Sequence, residues 1–383
     1  DGGFVGAGAS SRNQGGIVSG AGPSYASLTA SEGRETANSH MQLIEYNRQL
    51  LVRQIERYEI ECLYEVLGEY LLSRRDRADV EDELERYSLE HALLSEDGFQ
   101  VELIDEAEAL RVTGNRLFAG GIRFLEDAQF HPGFFVVGLG RAVSSLSGAQ
   151  IFERSIVKQI TGDFGSVTVK TVAGSISCSS VVLATNALAP HILPDLAKQI
   201  RAERGQVLVT APMENRPCVG CFGTQEAWWR DIREPDGRFR LLFGGARRRD
   251  QEVILPFTVQ GRRNPALVRH GLLPTVSHEK RLRRQLQVIF PELANALVTH
   301  RWAGLQGFTG DGLPLLGLFD PERGVHGVAG FSGMGNSYSN VSAEWIAGRI
   351  TGVTGSVEDR FGPFIGRMMR VGRSSANFSF QNL

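Results

Sequence analysis

Near the end of the chain, Gly327-Val-Ala-Gly-Phe-Ser-Gly-Met-Gly-Asn336 runs on into Ser337-Tyr-Ser-Asn-Val-Ser-Ala-Glu-Trp-Ile-Ala-Gly348. A short apolar run leads to three glycines in six residues, and the following segment puts Val341, Trp345 and Ile346 on one side. The pattern predicts strand, tight turn and helix. Bare backbone at a helix start admits a flat ligand and favours negative charge by about 0.3–1 kcal/mol, up to ~2 kcal/mol when partly buried. A phosphate, or a flat ring system with negative charge on one edge, suits such a turn. An ordinary strand-to-helix connection has the same local signature, so the rest of the chain must discriminate.

Working outward, 383 residues with a net charge of −2 and 42% hydrophobic content describe a globular protein of about two domains. Acidic and basic residues are balanced and interspersed, which excludes a nucleic-acid footprint or a membrane-surface face. Arg247-Arg-Arg249 reads as a solvated loop. No apolar run reaches the roughly 18 residues that a bilayer span needs. Four cysteines make no disulfide framework and point to a reducing, cytoplasmic compartment. Cys218-Val-Gly-Cys221 has C-x-x-C spacing but neither a second pair nor a following helix, so it reads as two thiols on a strand edge, and no metal site is expected. The chain opens on Asp1, not Met, so the N-terminus is read as processed, trimmed or that of a fragment, and targeting is not read from it.

Asp1 to Ile17 is rich in small residues around one cation, Arg12, whose paired N–H donors suit phosphate or a polarised ring. Helical spacing of Met41, Ile44, Leu50, Leu51 and Ile55 predicts an amphipathic helix over 35–57. A hairpin is expected from 60–66 and 69–72 about Gly68, then an acidic helix over 80–94, a strand at 101–105 and a helix capped by Asp105. His131 beside Pro132 reads as the cap of a helix over 134–146, followed by a strand at 150–153. Segments 157–160, 166–172 and 175–179 alternate like an antiparallel meander. Ser180-Val-Val-Leu-Ala-Thr-Asn-Ala187 reads as a buried strand, with a helix carrying Leu193 and Leu196 after it. Segments 206–210, 226–230 and 240–245 are spaced like a second antiparallel sheet, and Leu282, Leu286 and Ile289 mark a helix before Pro291.

Taken together these stretches resemble the D-amino-acid-oxidase-like family of FAD-dependent oxidoreductases, which includes glycine and sarcosine oxidases, D-amino-acid dehydrogenases and γ-glutamylputrescine oxidase. Gly8-Ala-Ser-Ser-Arg-Asn-Gln-Gly-Gly16 is similar to the family's G-A-S-G-R-N-x-G-G loop, and Val181-Val-Leu-Ala-Thr-Asn-Ala187 to its second nucleotide-side strand. Arg204-Gly-Gln-Val-Leu-Val-Thr210, Asp236-Gly-Arg238 with Leu241-Leu-Phe-Gly-Gly245, Trp302-Ala-Gly-Leu305 with Thr309-Gly-Asp-Gly-Leu-Pro314, and Gly330-Phe-Ser-Gly-Met-Gly335 follow in the family's order. The resemblance implies a mixed α/β fold. A Rossmann-like, three-layer FAD-binding domain (1–59, 128–200 and 299–356) interleaves with an antiparallel-sheet substrate domain (60–127 and 201–298), and 357–383 form a tail.

The resemblance further implies that FAD is held by Gly8, Ala9, Ser10, Ser11, Arg12, Asn13, Gln14, Gly15 and Gly16. Ala184, Thr185 and Asn186 would lie near the adenosine half, Gly333, Met334 and Gly335 at the pyrimidine end of the flavin, and Val157, Gly304, Gly330, Ser332 and Asn336 complete the cofactor-binding set. Gln206, Trp229, Arg230 and Gln306 would face the substrate, an amine or amino acid whose C–N bond is oxidised to an imine by hydride transfer to flavin N5; no catalytic residue is assigned. Two departures qualify this. The strand, G-x-G-x-x-G turn and acidic strand end with which the family opens do not precede Gly8, so the expectation is a fragment of a longer enzyme or a chain completed by a partner. A flavoprotein subunit passing electrons to an acceptor other than oxygen, a truncated non-catalytic relative and a homo-oligomer remain alternatives. Second, Leu305-Gln306-Gly307 stands where amino-acid-oxidising members carry Leu-Arg-Pro. A neutral amide there gives up about 1.5–3 kcal/mol of carboxylate binding, which favours an amine, or an amino acid held by another cation such as Arg230.

Overall fold

The computed structural model describes residues 1–20, 22–246, 273–353 and 356–368. Arg247-Arg-Arg249 and residues 369–383 of the expected tail lie outside the described residues.

In chain order the principal elements are α1 (Ala9–Arg12), β1 (Gly16–Ile17), α2 (Tyr25–Glu32), α3 (Arg34–Arg57), β2 (Glu65–Val66), β3 (Glu69–Arg74), α4 (Val80–Glu96), β4 (Val101–Ile104), α5 (Glu106–Thr113), β5 (Phe118–Phe124), β6 (Ala128–Gln129) and α6 (Pro132–Ser144). There follow β7 (Val157–Asp163), β8 (Ser166–Thr171), β9 (Ser175–Cys178), β10 (Val181–Leu183), α7 (Ala189–Ile192), β11 (Arg201–Thr210), β12 (Cys221–Gly223), β13 (Ala227–Arg233) and β14 (Phe239–Gly245). The last are α8 (Val276–Ile289), β15 (Val298–Phe308), β16 (Leu315–Asp320), β17 (Val325–Ala329), α9 (Gly335–Thr351) and α10 (Ser356–Met368).

One layer is helical. The apolar stripe of α3 recurs at three- and four-residue steps and packs Leu43 and Ile44 against Tyr338, Val341 and Trp345 of α9. Its one fully buried amide, Asn47, is satisfied by that helix: Nδ2 donates to Asn336 O at 2.7 Å, and Oδ1 accepts from Asn340 N at 2.9 Å and Val341 N at 3.2 Å. Beneath α9 lies a three-stranded sheet ordered β10-β17-β16, in which β10 and β17 run parallel. The strand, turn and helix expected at 327–348 are therefore present as β17, the turn at 330–334 and α9.

The other main layer is an eight-stranded sheet ordered β15-β11-β14-β13-β12-β3-β5-β4, antiparallel except where β12 meets β3. Strand alternation sends one set of side chains toward α8, where Trp229, 1% exposed, stacks on Phe222 (5.5 Å, 8°) and Phe243 (6.1 Å, 17°) and meets Phe290 edge-on. The meander appears as β7-β8-β9.

Several sequence expectations are corrected. Segments 60–66 and 69–72 are no hairpin: β2 pairs with β6, whereas β3 pairs with β5 and β12. Gly68 (φ +82°) hands the chain between the two sheets, its N–H donating to Asp127 O at 2.8 Å. Residues 150–153 form no strand; Phe152 O and the Glu153 carboxylate instead accept from the Asp1 ammonium at 2.9 Å and Val5 N at 2.8 Å. Leu193 and Leu196 do not share a helix, because Pro194 lacks the N–H to continue α7 and starts a 3-10 turn, Pro194–Lys198. β10 is only three residues long and leaves Val182 47% exposed, so it is not the fully buried strand expected. β15 is a strand of the eight-stranded sheet, so a boundary at 299 cuts a sheet strand. The tail begins as α10, with Phe361, Phe364 and Ile365 buried against the α3–α9 core.

Trp229→Ala removes the largest side chain of the α8-facing core and is expected to lower the unfolding free energy by about 3–5 kcal/mol. A shift below ~1 kcal/mol in a urea titration would show that the sheet packs without it.

Candidate active site

The register of the eight-stranded sheet builds the site. Cross-strand partners on the face away from α8 run Leu71, Gly223, Trp228, Gly244, Val207, Trp302 across β3, β12, β13, β14, β11 and β15, and Gly205 faces Gly304 in the next row. Glycines alternate there with large side chains, so the sheet carries a recess. A Cβ on Gly244 would lie 2.2 Å from the Trp228 indole, and one on Gly205 would lie 3.1 Å from the Gln306 carboxamide: both side chains lie down across a bare backbone. The recess is the floor of a cavity of about 270 Å³.

Its second wall is the loop from Ala9 to Gly16. Arg12, Asn13, Gln14, Gly15 and Gly16 all line the cavity with Ala9. The loop is clasped from below: Arg12 Nη1 donates to Ala303 O at 3.1 Å, and Trp302 Nε1 donates to Arg12 O at 2.8 Å. Gly15 (φ +81°) is required, because a Cβ there would sit 2.1 Å from Phe130 O.

The third wall is the turn before α9, with Ser332, Gly333, Met334 and Asn336 in the lining. Asn336 Nδ2 donates to Asn13 Oδ1 at 3.1 Å and to Gly16 O at 2.9 Å, joining the two walls. Asn186 Oδ1, in the 3-10 turn that follows β10, accepts from Gly330 N at 2.9 Å and Phe331 N at 3.3 Å, bracing the turn. No side chain caps the first turn of α9, and the space beside Gly333 (φ +95°) is open. Uncapped N–H groups carry the positive end of the helix dipole, roughly half a charge.

Of the residues expected to bind substrate, the cavity is lined by Gln206 and Gln306 but not by Trp229 or Arg230. Strand alternation explains Trp229: it points to α8, and its neighbour Trp228 takes the cavity face. Arg230 is 5% exposed and donates through Nε to Gln14 O, through Nη1 to Asp231 O at 2.9 Å and through Nη2 to Phe130 O at 3.1 Å. It anchors the loop and does not line this cavity, where the substrate cation was expected. The Gln206 carboxamide is exchanged with Thr275, Oε1 accepting from its N–H at 2.7 Å and Nε2 donating to its hydroxyl at 3.1 Å. Gly304 lines the cavity; Gly8, Ser10, Ser11, Val157, Ala184, Thr185, Asn186, Gly330 and Gly335 do not.

His131 is the helix cap expected, its Nδ1 accepting from Phe134 N at 3.1 Å; burial, then the Arg230 guanidinium, lowers its proton affinity. Cys218 and Cys221 are free, and burial raises both thiols. Cys221 sits on β12 inside the sheet, not on a strand edge. Among the described residues no group of three or more His, Cys, Asp or Glu is placed to hold a metal, and no helix is long and apolar enough to cross a membrane.

Sequence reading missed Glu69, Leu71, Trp228 and Trp302 in the lining. The available signal was an acid opening an otherwise apolar strand, Glu69-Tyr-Leu-Leu72, which reads by sequence only as one arm of a hairpin.

The lining fits a flat, electron-rich group: glycine backbone on the loop and the turn, a guanidinium at Arg12, and a helix start without a side-chain cap. A sequence profile described as FAD dependent oxidoreductase, DAO, matches residues 1–349. The gamma-glutamylputrescine oxidoreductase of Escherichia coli (strain K12) is 24% identical over 91% of this chain and 76% of its own. Among solved structures, glycine oxidase from Geobacillus kaustophilus superposes with a TM-score of 0.71 at 20% identity, covering 92% of this chain and 86% of its own. Fructosyl amine: oxygen oxidoreductase from Aspergillus fumigatus gives 0.62 at 15% identity, covering 88% and 79%. With the profile spanning nearly the whole sequence and both solved folds agreeing, the chain belongs to the DAO family of FAD dependent oxidoreductases.

Proposed function

We propose that the protein oxidises the C–N bond of a small amine, or of an amino acid lacking a strong carboxylate anchor, in the cavity between the Ala9–Gly16 loop, the α9 turn and the glycine-floored sheet. The observation that carries this reading is the meeting of two unlike surfaces in one recess. A backbone-rich wall suited to a flavin faces a sheet carrying Gln306, Trp228 and Glu69, which suits an organic substrate. The relatives above are named for glycine, gamma-glutamylputrescine and a fructosyl amine, each of which contains a C–N bond.

FAD, when bound, supplies the two-electron acceptor. Arg12, Asn13, Gln14 and the Gly15-Gly16 backbone would hold it on one side, and Gly333, Met334 and Asn336 on the other. The α9 start stabilises negative charge near the turn, and Asn336 keeps the loop and turn in register. The Gln306 carboxamide offers an uncharged donor and acceptor where a guanidinium would pair with a carboxylate, which supports a preference for amines.

Titration with FAD followed by anaerobic addition of simple amines tests the reading. Flavin absorbance bands that shift on binding and bleach with an amine are expected; a protein that retains flavin but is bleached by no amine or amino acid would overturn it. Asn336→Ala is expected to weaken flavin retention by roughly 10-fold, since one amide serves both walls. Gln306→Arg is expected to lower KM for carboxylate-bearing amines about 10-fold or more while leaving n-butylamine nearly unchanged. Equal effects on both substrates would remove Gln306 from the recognition of the carboxylate.

A further inference from the structure

β3 runs beside β12 so that Glu69 faces Cys221 and Leu71 faces Gly223. Tyr70 between them turns to the α8 side and stacks on Phe222 at 4.7 Å, which leaves Glu69 and Leu71 on the cavity face, and both line the cavity. Glu69 is 4% exposed, yet its Oε2 has no hydrogen-bond partner among the described residues. The Gly20 N–H is turned toward its carboxyl.

The acid beside it is better served. Asp127, 2% exposed, accepts from Ser19 N at 2.8 Å and Ser19 Oγ at 2.6 Å, and Arg48 lies close enough to favour its charge. Burial, then the negative charge of Asp127, raises the proton affinity of Glu69 well above the ordinary carboxylate range, and burial pushes Asp127 up to about 7. Two buried carboxyl groups side by side resist joint ionisation unless a cation joins them. The arginines near this pair are committed elsewhere: Arg230 to three carbonyl oxygens, and Arg48 to Glu126. No described Lys, Arg or His forms an ion pair with Glu69. Glu69 lines the cavity, and that is where a ligand's positive charge would approach it.

Trp228 stands two strands from Glu69 and one row along, and its indole lies over Gly244 of the third strand, roughly 15 Å from Glu69, with Gly223 and Thr224 also in the lining. That aromatic wall suits the carbon chain of a ligand, or a second cationic group.

We propose that Glu69 is the anionic receptor for a cationic nitrogen of the substrate, so that the cavity selects organic ammonium compounds whose carbon skeleton runs toward Trp228. The inference rests on the amine-oxidising reading above and deepens it by naming the group that recognises the nitrogen. As the ammonium enters, the carboxylate pairs with it and can take its proton, giving neutral amine and a neutral carboxyl with atoms and charge conserved. The nitrogen lone pair is then free for C–N oxidation.

The test uses the flavin-loaded protein and two readouts: tryptophan fluorescence titrated with n-butylammonium, tetramethylammonium, butan-1-ol and butyrate, and anaerobic flavin bleaching by n-butylamine. In the wild type the two cations are expected to bind at least about 10-fold more tightly than butan-1-ol. Glu69→Gln, which keeps the shape and a hydrogen-bonding amide, is expected to abolish that advantage, and Glu69→Asp to retain part of it, with butyrate indifferent to both. Equal wild-type affinity for n-butylammonium and butan-1-ol overturns the inference even if no variant folds. So does an unchanged cation affinity in a Glu69→Gln protein that holds flavin normally. If amines bleach the wild type but their binding ignores Glu69, the inference fails and the amine-oxidising reading stands. If tetramethylammonium binding depends on Glu69 but no amine bleaches the flavin, Glu69 is a cation receptor and the amine-oxidising reading fails.

Discussion

The site hangs on a shared amide. Asn336 sits one residue into α9, and its Nδ2 reaches both Asn13 Oδ1 and Gly16 O, in the Ala9–Gly16 loop at the other end of the chain. Its own carbonyl is held by Asn47 Nδ2 in the middle of α3. Three short side chains from three distant segments thereby fix where the loop, the turn and the long helix meet. An amide left unmade in such a place costs about 1–3 kcal/mol, so each asparagine penalises any arrangement in which the other two are displaced. Asn13 tightens this further by accepting from Gly15 N at 2.7 Å.

With those walls fixed, the sheet supplies the recess by asymmetry between its faces. Toward α8 it presents Phe222, Trp229, Leu241 and Phe243, a packed aromatic core. On the opposite face the same strands present Gly223, Gly244, Gly205 and Gly304, interrupted by Trp228 and Trp302. A sheet that is dense on one side and bare on the other is stabilised by the first and leaves room for a cavity on the second. Arg230 connects the two functions. It projects from the open face, but its guanidinium is spent on the carbonyls that set the loop's position. The charge expected to meet substrate thus serves the architecture, while an acid, Glu69, stands in the cavity wall.

Helix periodicity was legible along α3, α4 and α9 because each buries a continuous stripe, and such stripes recur every three or four residues whatever they pack against. The turn at 330–335 was legible because few residues other than glycine tolerate its backbone; Ser332 at φ +51° is the exception, its hydroxyl bonded within the turn and to Thr309. The segment 60–72 was not legible as two sheets, since Gly68 looks the same in a hairpin as in a crossing between layers. Nor was the choice between Trp228 and Trp229: adjacent residues on a strand point opposite ways, and only the register of β13 against β12 and β14 tells which faces α8.

By itself the sequence determined the family, the small-residue run of the Ala9–Gly16 loop and the glycine turn, because these depend on local backbone freedom and short-range residue order. The absence of an arginine at Gln306 was likewise plain from one position. Tertiary structure alone decided which charges are available to a ligand. Arg230 and Glu69 are both buried ionisable residues on one sheet face, and nothing in their neighbouring residues separates them. Arg230 donates to carbonyls of the loop at Gln14 and of Phe130, while Glu69 lies beside Asp127, 58 residues along the chain, with an oxygen lacking a hydrogen-bond partner among the described residues. Burial and partnership are set by what the fold brings from afar, and they decide whether a charged side chain holds the protein together or waits for a substrate.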